Sequence, residues 1–348
     1  MKYRKNILSI IVLMGLAFGL YFVYLFGKTF FWDNTIFEKS KVYVYINEGD
    51  DFTNVTSALT PLLKSISDFT IAAQKKGYCF RVKSGKFVLL KGSNNNEIIN
   101  ALRGKSLTVR VTFNNQERLE DLAGRVAHQI APDSITLLKA FLDSAFLAAK
   151  GFSKENALGM YLPNSYDFFW NTSAENFRDK MWQSYQNFWS EGRKNKATTL
   201  GLTPLEVTSL AAIVQKETQK VDERPRVAGV YLNRLKRKMR LQADPTVIYA
   251  MKLKLQNFDT VIKRVLYKDL EIKFPYNTYR YRGVPPGPIT MPDMSSIKAV
   301  LNAEQHRYLY FVANPKNPGY HLFAKNGREH NRNKKIYTDW LDRYRIYR

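Results

Sequence analysis

The sequence predicts an α+β protein made of an N-terminal transmembrane helix, a small α+β domain and a larger domain of mixed α/β structure. Three observations predict this architecture. Residues 7–27 carry no charge, strand and helix patterns alternate across residues 41–115, and a capped amphipathic helix opens residues 201–348. The 348 residues leave room for two domains beside an anchor, since single domains usually have roughly 100–200 residues.

The N-terminal run predicts a membrane anchor. It contains 21 uncharged residues, from Ile7 to Gly27, and a helix of that length crosses a bilayer because each residue adds ~1.5 Å. Basic residues precede the run, at Lys2, Arg4 and Lys5. By the positive-inside rule, residues 1–6 form a cytoplasmic tail and the rest of the chain is exported. A cleaved signal peptide is the alternative, but bulky residues stand where cleavage requires small ones.

Residues 41–115 are predicted to form the small α+β domain. Residues 41–46 alternate β-branched and aromatic side chains and stop at a turn sequence, which is typical of a strand. Helical patterns follow near 51–64, 67–76 and 95–103, and strand patterns near 86–91 and 106–113. Residues 116–200 have mainly helical patterns, so we expect them to link this domain to the next one.

Charge and export together limit the partners. The chain has 54 basic and 30 acidic residues, a net charge of +24, which indicates a polyanionic partner: nucleic acid, an anionic lipid surface or an acidic polymer. Export argues against nucleic acid, and no nucleic-acid-binding motif is present. We also expect no metal and no cofactor, because there is one cysteine and the histidines are scattered: His128, His306, His321 and His330.

A candidate catalytic carboxyl group lies on the helix that begins after Thr203. Thr203 is the predicted N-cap, Pro204 takes the first helical position and Glu206 completes a capping box. Apolar residues then recur at helical spacing, at Leu210, Ala211 and Val214. Glu217 continues this stripe near the end of the helix.

This position predicts a raised pKa for Glu217. Apolar surroundings disfavour the ionised form, and the negative end of the helix dipole adds to that effect. A carboxyl group that keeps its proton near neutral pH can act as the general acid in cleavage of a glycosidic bond. The alternative is a structural ion pair with a basic neighbour such as Arg224 or Arg234.

Polar residues on turns and loops after Glu217 are candidates for holding a sugar substrate. Asp244 precedes Pro245 and has two open interpretations, as the cap of a helix or as part of the site. Loops that contain proline follow at 275–279 and 283–288, and prolines keep such loops rigid. The predicted sugar-binding residues are Gln242, Asp244, Thr246, Tyr276, Asn277 and Tyr279. His330 either lines the same cleft or is structural.

Residues 203–331 resemble the endolytic murein transglycosylase family, also called the YceG-like family. The resemblance rests on a series of ordered motifs: Leu-Thr-Pro-Leu-Glu-Val (202–207), Ala-Ala-Ile-Val-Gln-Lys-Glu-Thr (211–218), Val-Ala-Gly-Val-Tyr-Leu-Asn-Arg-Leu (227–235), Leu-Gln-Ala-Asp-Pro-Thr-Val-Ile-Tyr (241–249), Pro-Tyr-Asn-Thr-Tyr (275–279), Gly-Val-Pro-Pro-Gly-Pro-Ile (283–289) and Glu-His-Asn (329–331). The N-terminal anchor is also a feature of this family.

The resemblance implies a single-pass protein of the bacterial inner membrane with an extracytoplasmic catalytic domain at 201–348 and a LysM-like domain at 41–115. It implies that Glu217 is the catalytic residue and that nascent peptidoglycan strands are cut to leave 1,6-anhydro ends. Peptidoglycan synthases become candidate partners. The sequence departs from the family at Gln215, where many relatives have Glu.

Two other functions stay open at this stage. One is a peptidoglycan hydrolase in which Asp244 activates a water molecule opposite Glu217. The other is a scaffold that binds the cell wall without cutting it.

Overall fold

The computed structural model describes residues 2–262 and 264–344, and these fall into two compact units. The predicted α+β class and the N-terminal apolar helix are confirmed. Met1 of the predicted cytoplasmic tail and residues 345–348 of the predicted catalytic domain lie outside the described residues.

The first unit comprises Met1–Val111 with two short additions, Gln129–Pro132 and Tyr166–Ser173. It begins with the long helix α1 and continues with two strands and three helices. The elements are α1 (Lys2–Phe31), β1 (Lys41–Ile46), α2 (Phe52–Leu59), α3 (Ile66–Lys75), β2 (Gly85–Leu90) and α4 (Asn95–Arg103). The predicted strand at 41–46 is therefore confirmed, and helices occupy most of the segments where they were expected.

Helix α1 contains the predicted anchor and extends beyond it. The stretch Ile7–Phe31 has 25 residues, and its most apolar part has a mean hydropathy of 2.3 and is entirely exposed. Its last turn is fixed to the first unit, because the side-chain amide of buried Asn95 donates to the carbonyl of Thr29 across 2.7 Å. The helix is therefore long and apolar enough to cross a membrane, and its end belongs to a folded unit.

The core of the first unit lies between a two-stranded sheet and its helices. Strands β1 and β2 are antiparallel, with register from Lys41↔Leu90 to Ile46↔Gly85. Every second side chain points inward, so that four strand residues join the core: Val44, Ile46, Phe87 and Leu89. Helices α2 and α4 both begin with a capping box, which fixes the geometry of their first turns.

The second unit comprises Thr112–His128, Asp133–Ser165 and Ala174–Arg348. Two of the five points at which the chain crosses from one unit to the other lie within strands, β3 (Thr108–Phe113) and β4 (Asn164–Phe169). The other elements are α5 (Leu119–Ala127), α6 (Ser134–Phe141), α7 (Ser144–Ala149), α8 (Ala174–Phe188), α9 (Glu191–Thr199), α10 (Pro204–Glu217), α11 (Arg224–Lys236), α12 (Asp244–Leu255), α13 (Met294–Leu301), β5 (Tyr310–Ala313), β6 (His321–Ala324) and α14 (Gly327–Arg343). Most of the predicted linker, 116–200, is helical.

Helix α10 is the central helix of the second unit. All of its side chains from Val207 to Val214 are buried, and it packs against α11, α12 and α13. Gln215 fixes α13 to it, because the Gln215 side-chain oxygen accepts hydrogen bonds from the Asp293 backbone N–H at 2.6 Å and the Ser296 hydroxyl at 2.9 Å. Gln215 therefore has a structural role at the start of α13.

Candidate active site

Glu217 is the last residue of α10. The predicted start of this helix is confirmed. The Thr203 hydroxyl accepts a hydrogen bond from the Glu206 backbone N–H, and the Glu206 carboxylate accepts one from the Thr203 backbone N–H. These reciprocal bonds fix the first turn. Because the middle of the helix, from Val207 to Val214, is buried and α10 packs against α11, Glu217 is held beside α11.

The carboxyl group of Glu217 is hydrogen-bonded to Tyr231 of α11. The Tyr231 hydroxyl donates to Glu217 Oε1 across 2.8 Å. Tyr231 is fully buried. Glu217 is partly exposed as a residue, but protein atoms crowd its carboxyl group. This burial raises the pKa of Glu217 to about 7. At neutral pH the group therefore keeps its proton in a large fraction of molecules.

Charged neighbours adjust the pKa of Glu217 in both directions. Burial has the largest effect, and the hydrogen bond from Tyr231 opposes it by stabilising the carboxylate. The negative charge of Asp244 raises the pKa further, while the nearby His321 and Arg234 lower it. The site thus contains groups that favour each protonation state.

The two arginines considered as ion-pair partners are bonded elsewhere. Arg224 lies 3.6 Å from the Asp293 carboxylate and donates to the Ser295 hydroxyl. Arg234 is buried and donates to two backbone oxygens, that of Leu309 at 2.7 Å and that of Leu241 at 2.6 Å. Among the described residues, neither arginine forms an ion pair with Glu217, so the structural ion-pair interpretation was wrong.

A histidine–carboxylate pair, His321 and Glu223, lies near enough to the site for His321 to lower the pKa of Glu217. Glu223 accepts from the His321 backbone N–H at 2.8 Å, and its other oxygen lies 2.8 Å from His321 Nδ1. Burial alone would raise the pKa of Glu223, but the hydrogen bonds from His321 and Thr218 lower it overall. The pair joins the start of α11 to β6 and holds the His321 ring beside Glu217.

Asp244 is the first residue of α12, where its carboxylate has an unexpected partner. The Tyr279 hydroxyl donates to Asp244 Oδ1 across 2.6 Å. Ala243 occupies the N-cap position, and no side chain caps this helix. The interpretation of Asp244 as a helix cap was therefore wrong. Its exposed carboxylate faces the site and is positioned by a tyrosine from the loop at 275–279.

Gln242, two residues before Asp244, is also exposed. Its backbone adopts a left-handed conformation, with φ of 49°. Its backbone N–H donates to the Thr278 carbonyl at 3.2 Å, and its side-chain oxygen lies 3.5 Å from Arg234 Nη1. The structure thus brings Gln242, Asp244 and Tyr279 into the neighbourhood of Glu217.

Thr246 and Asn277 are buried beneath these residues. The Thr246 hydroxyl bonds to the Ala243 carbonyl at 2.6 Å and to the Thr278 hydroxyl at 2.8 Å. The Asn277 side-chain amide donates to the carbonyls of Leu270 and Ile272, both at 2.9 Å. Both side chains are engaged within the protein: Thr246 holds the 275–279 loop against the start of α12, and Asn277 holds it to the segment that precedes it.

Tyr276 and His330 are engaged with residues other than Glu217. The Tyr276 hydroxyl donates to the Glu155 carbonyl at 3.1 Å, and its ring lines a separate groove. The His330 ring stacks on Tyr310 at 5.1 Å, and burial lowers the pKa of His330. Within the described chain, no three His, Cys, Asp or Glu side chains are grouped to hold a metal ion. The expectation that no metal or cofactor takes part stays a prediction.

Comparison with known proteins places this fold in a family. The sequence model of the YceG-like family matches residues 44–336, which is most of the chain. The chain belongs to the YceG-like family. The match includes α10, α11, α12 and the loop at 275–279, so every residue described around Glu217 falls inside it.

Two curated relatives of this YceG-like chain carry the name endolytic murein transglycosylase. The one from Bacillus subtilis is 31% identical over 339 residues, covering 90% of this chain and 89% of the relative. The one from Streptococcus pneumoniae strain D39 is 31% identical over 175 residues, covering 50% of this chain and 31% of the relative. The crystal structure of a yceG-like protein from Listeria monocytogenes has a TM-score of 0.55 and 28% identity, covering 85% of this chain and 99% of that one.

Three residues beside Glu217 were not singled out from the sequence: Tyr231, Glu223 and His321. Tyr231 lies within the motif at 227–235, but no role was predicted for it. A signal for its role existed, because a buried tyrosine hydroxyl usually requires a hydrogen-bond partner. Glu223 and His321 are 98 residues apart, and no local pattern predicts that they meet.

Proposed function

We propose that this YceG-like chain is an endolytic murein transglycosylase that cuts the glycan strand of peptidoglycan, with Glu217 as its acid and base. The family and the names of its relatives support this activity. The observation that carries the role of Glu217 is its crowded carboxyl group, whose pKa is raised to about 7 and which is held by Tyr231. Such a group can donate a proton at neutral pH and accept one afterwards.

In the first step, protonated Glu217 gives its proton to the oxygen that joins N-acetylmuramic acid to N-acetylglucosamine. The bond between that oxygen and C1 of the muramic acid breaks, and the bonding electrons leave with the oxygen. Positive charge then develops at C1 and the ring oxygen. The Glu217 carboxylate left behind is stabilised by the Tyr231 hydroxyl.

In the second step, the carboxylate takes the proton from the C6 hydroxyl of the same muramic acid. Oxygen O6 forms a bond to C1, which closes a 1,6-anhydro ring, and Glu217 recovers its proton. No water is consumed. One carboxyl group suffices because the nucleophile belongs to the substrate and is already close to C1.

The surrounding residues divide into two groups in this proposal. Gln242, Asp244 and Tyr279 contact the sugars, because their polar groups are exposed or partly exposed near Glu217. Thr246 and Asn277 act indirectly, since their side chains hold the loop that carries Tyr279. Tyr276 belongs to the separate groove that its ring lines.

The location of the protein follows from α1. We propose that α1 anchors the chain in the bacterial inner membrane with the N-terminus in the cytoplasm and the second unit outside it, because Lys2, Arg4 and Lys5 precede the apolar stretch. Residues 41–115 are proposed to be LysM-like and to face the cell wall. Peptidoglycan synthases are proposed partners, since nascent strands are their product.

The test is digestion of purified glycan strands, with the products read by mass. The wild-type protein is expected to release fragments with anhydro ends, and Glu217→Gln is expected to lower the rate by about 10²–10⁴-fold. Glu191→Gln is the matched control, because Glu191 is an exposed residue of α9. Fragments heavier by one water would identify a hydrolase and overturn the transglycosylase chemistry. Binding to the strands without release of any fragments would identify a scaffold. That result would overturn both the transglycosylase chemistry and the catalytic role of Glu217.

A further inference from the structure

His321 is a titratable group near Glu217 that the reaction proposed above does not use. Its side chain is 14% exposed, and ring nitrogen Nδ1 lies 2.8 Å from Glu223, whose side chain is 3% exposed. Thr218 follows Glu217 in the chain, and its hydroxyl donates to the same Glu223 oxygen across 3.1 Å. One buried carboxylate therefore ties the His321 ring to the end of α10, where Glu217 lies.

A second set of contacts joins the His321 ring to Glu217 through aromatic side chains. The ring packs edge-on against Phe311 of β5, with centroids 5.0 Å apart. Phe311 in turn packs edge-on against Tyr231 at 5.9 Å, and the Tyr231 hydroxyl donates to Glu217. Because Tyr231 is fully buried and these rings pack against one another, His321 has a fixed place relative to the Glu217 carboxyl group.

The Glu223 carboxylate favours a positive charge on the His321 ring. Burial would raise the pKa of Glu223, but the hydrogen bonds from His321 and Thr218 lower it overall, so the group is ionised at neutral pH. A buried carboxylate is costly unless an opposite charge compensates it. In the part of the chain that the structure describes, the side chain that forms an ion pair with Glu223 is that of His321. A protonated His321 ring supplies the compensating charge.

Glu217 is faced by groups of both charges. Burial raises its pKa to about 7, and among the cations His321 lowers that pKa more than Arg234 does. Arg234 is engaged by its bonds to two backbone carbonyls. The other titratable groups that act on Glu217 carry no positive charge in either protonation state: Tyr231, Asp244 and Tyr279. His321 is therefore the cation best placed to act on a negative charge at Glu217.

We propose that His321 is a positioning residue of the reaction, whose protonated ring, held by Glu223, stabilises the negative charge that Glu217 acquires when it gives up its proton. The inference rests on the proposed function. His321 keeps its own protons in both steps and acts through Glu217. The first step leaves a carboxylate in a crowded site, and a fixed positive charge nearby lowers the energy of the transition state in which that carboxylate forms.

The experiment compares the pH profile of kcat/KM for fragment release by the full-length wild type and three variants. His321→Gln keeps a hydrogen-bond donor for Glu223 and removes the charge, whereas His321→Lys keeps a charge. His128→Gln is the matched control, because His128 is an exposed histidine of the same unit. Thermal melting identifies any variant that fails to fold.

The two substitutions at His321 should have different effects. In His321→Gln the maximal kcat/KM should fall about tenfold, since the carboxylate loses its stabilising charge. The alkaline limb should move to higher pH, because loss of a nearby positive charge raises the pKa of Glu217. In His321→Lys the limb should stay close to its wild-type position, and the control should match the wild type.

Nitrogen NMR of the histidine rings tests the charge in the wild type, without depending on the folding of a variant at His321. The chain has four histidines, so their ring signals can be assigned by substituting them one at a time. We expect both ring nitrogens of His321 to carry protons at pH 7. A neutral ring at that pH would overturn the inference.

The remaining outcomes separate this inference from the proposed function. An alkaline limb that stays in place in folded His321→Gln would overturn the role of His321 while leaving the transglycosylase activity intact. An equal shift in His321→Lys or in His128→Gln would also overturn it, because the effect would not depend on a charge at this place. Release of no fragments by the wild type would instead reject the proposed function.

Discussion

The hydroxyl of Tyr231 donates a 2.8 Å hydrogen bond to Oε1 of Glu217, so two neighbouring helices, α10 and α11, meet at a proton-carrying carboxyl group. This bond stabilises the ionised form of Glu217, whereas burial and the charge of Asp244 stabilise the protonated form. The pKa near 7 is the result of these opposing effects. Each contribution can be removed by its own substitution. Loss of the Tyr231 hydroxyl should raise the pKa of Glu217, and loss of the Asp244 charge should lower it.

Removing the tyrosine hydroxyl should extend activity to higher pH. In Tyr231→Phe the carboxylate loses a donor, so the pKa of Glu217 rises above about 7 and the alkaline limb of kcat/KM moves up. The maximal rate should fall by about tenfold, since the carboxyl group is no longer held in one orientation. Tyr281→Phe, at an exposed tyrosine, is the control. An alkaline limb that stays in place would contradict the role of this bond.

Neutralising Asp244 should have the opposite effect. Its negative charge raises the pKa of Glu217, so Asp244→Asn should lower that pKa and move the alkaline limb to lower pH. Asp222→Asn is a close control, because Asp222 also accepts a hydrogen bond from a tyrosine, Tyr320, at 3.0 Å. We expect the control profile to match the wild type. A shift to higher pH in Asp244→Asn would show that its charge does not act on Glu217 as described.

Stability should also depend on the protonation of Glu217. Its pKa is raised in the folded state from an ordinary value of 4.5 to about 7, so its contribution to stability is fully present below 4.5 and is lost as pH rises through 7. Glu217→Gln keeps the neutral form at every pH. Thermal melting should therefore find the variant several degrees more stable than the wild type at pH 8 and nearly equal at pH 4.5. A difference independent of pH would contradict the raised pKa.

The proline-rich loop at 283–288 should tolerate no side chain at Gly287. A methyl group there would overlap the Glu155 carbonyl, which also accepts the hydrogen bond from Tyr276. We expect Gly287→Ala to lower the free energy of unfolding by about 1–3 kcal/mol. Gly192→Ala, in α9, is the control, because a methyl group there meets nothing within 4 Å. Chemical denaturation of both variants measures the difference, and equal stability would show that the loop can move aside.

The sequence predicted the parts of the site that depend on local rules. The capping box of Thr203 and Glu206 set the start of α10, and the helical period then placed Glu217 at its buried end. The anchor was predicted for a similar reason, since length and hydropathy are properties of one continuous segment.

What the sequence did not predict depends on contacts between distant segments. Asp244 was taken as a possible cap, but Tyr279, which is 35 residues away, holds its carboxylate. The pairing of Glu223 with His321 likewise joins a helix to a strand far along the chain. Thr246 and Asn277 were named as sugar-binding candidates because of their chemistry, and only the fold reveals that their polar groups are already bonded.

The protonation state of Glu217 can be measured directly by infrared difference spectroscopy of the wild type against Glu217→Gln as pH is varied. The band of a protonated carboxyl group should persist in the difference spectrum and disappear with a midpoint near pH 7. A midpoint near 4.5, the ordinary value for glutamate, would mean that the group is ionised at neutral pH and cannot supply the proton.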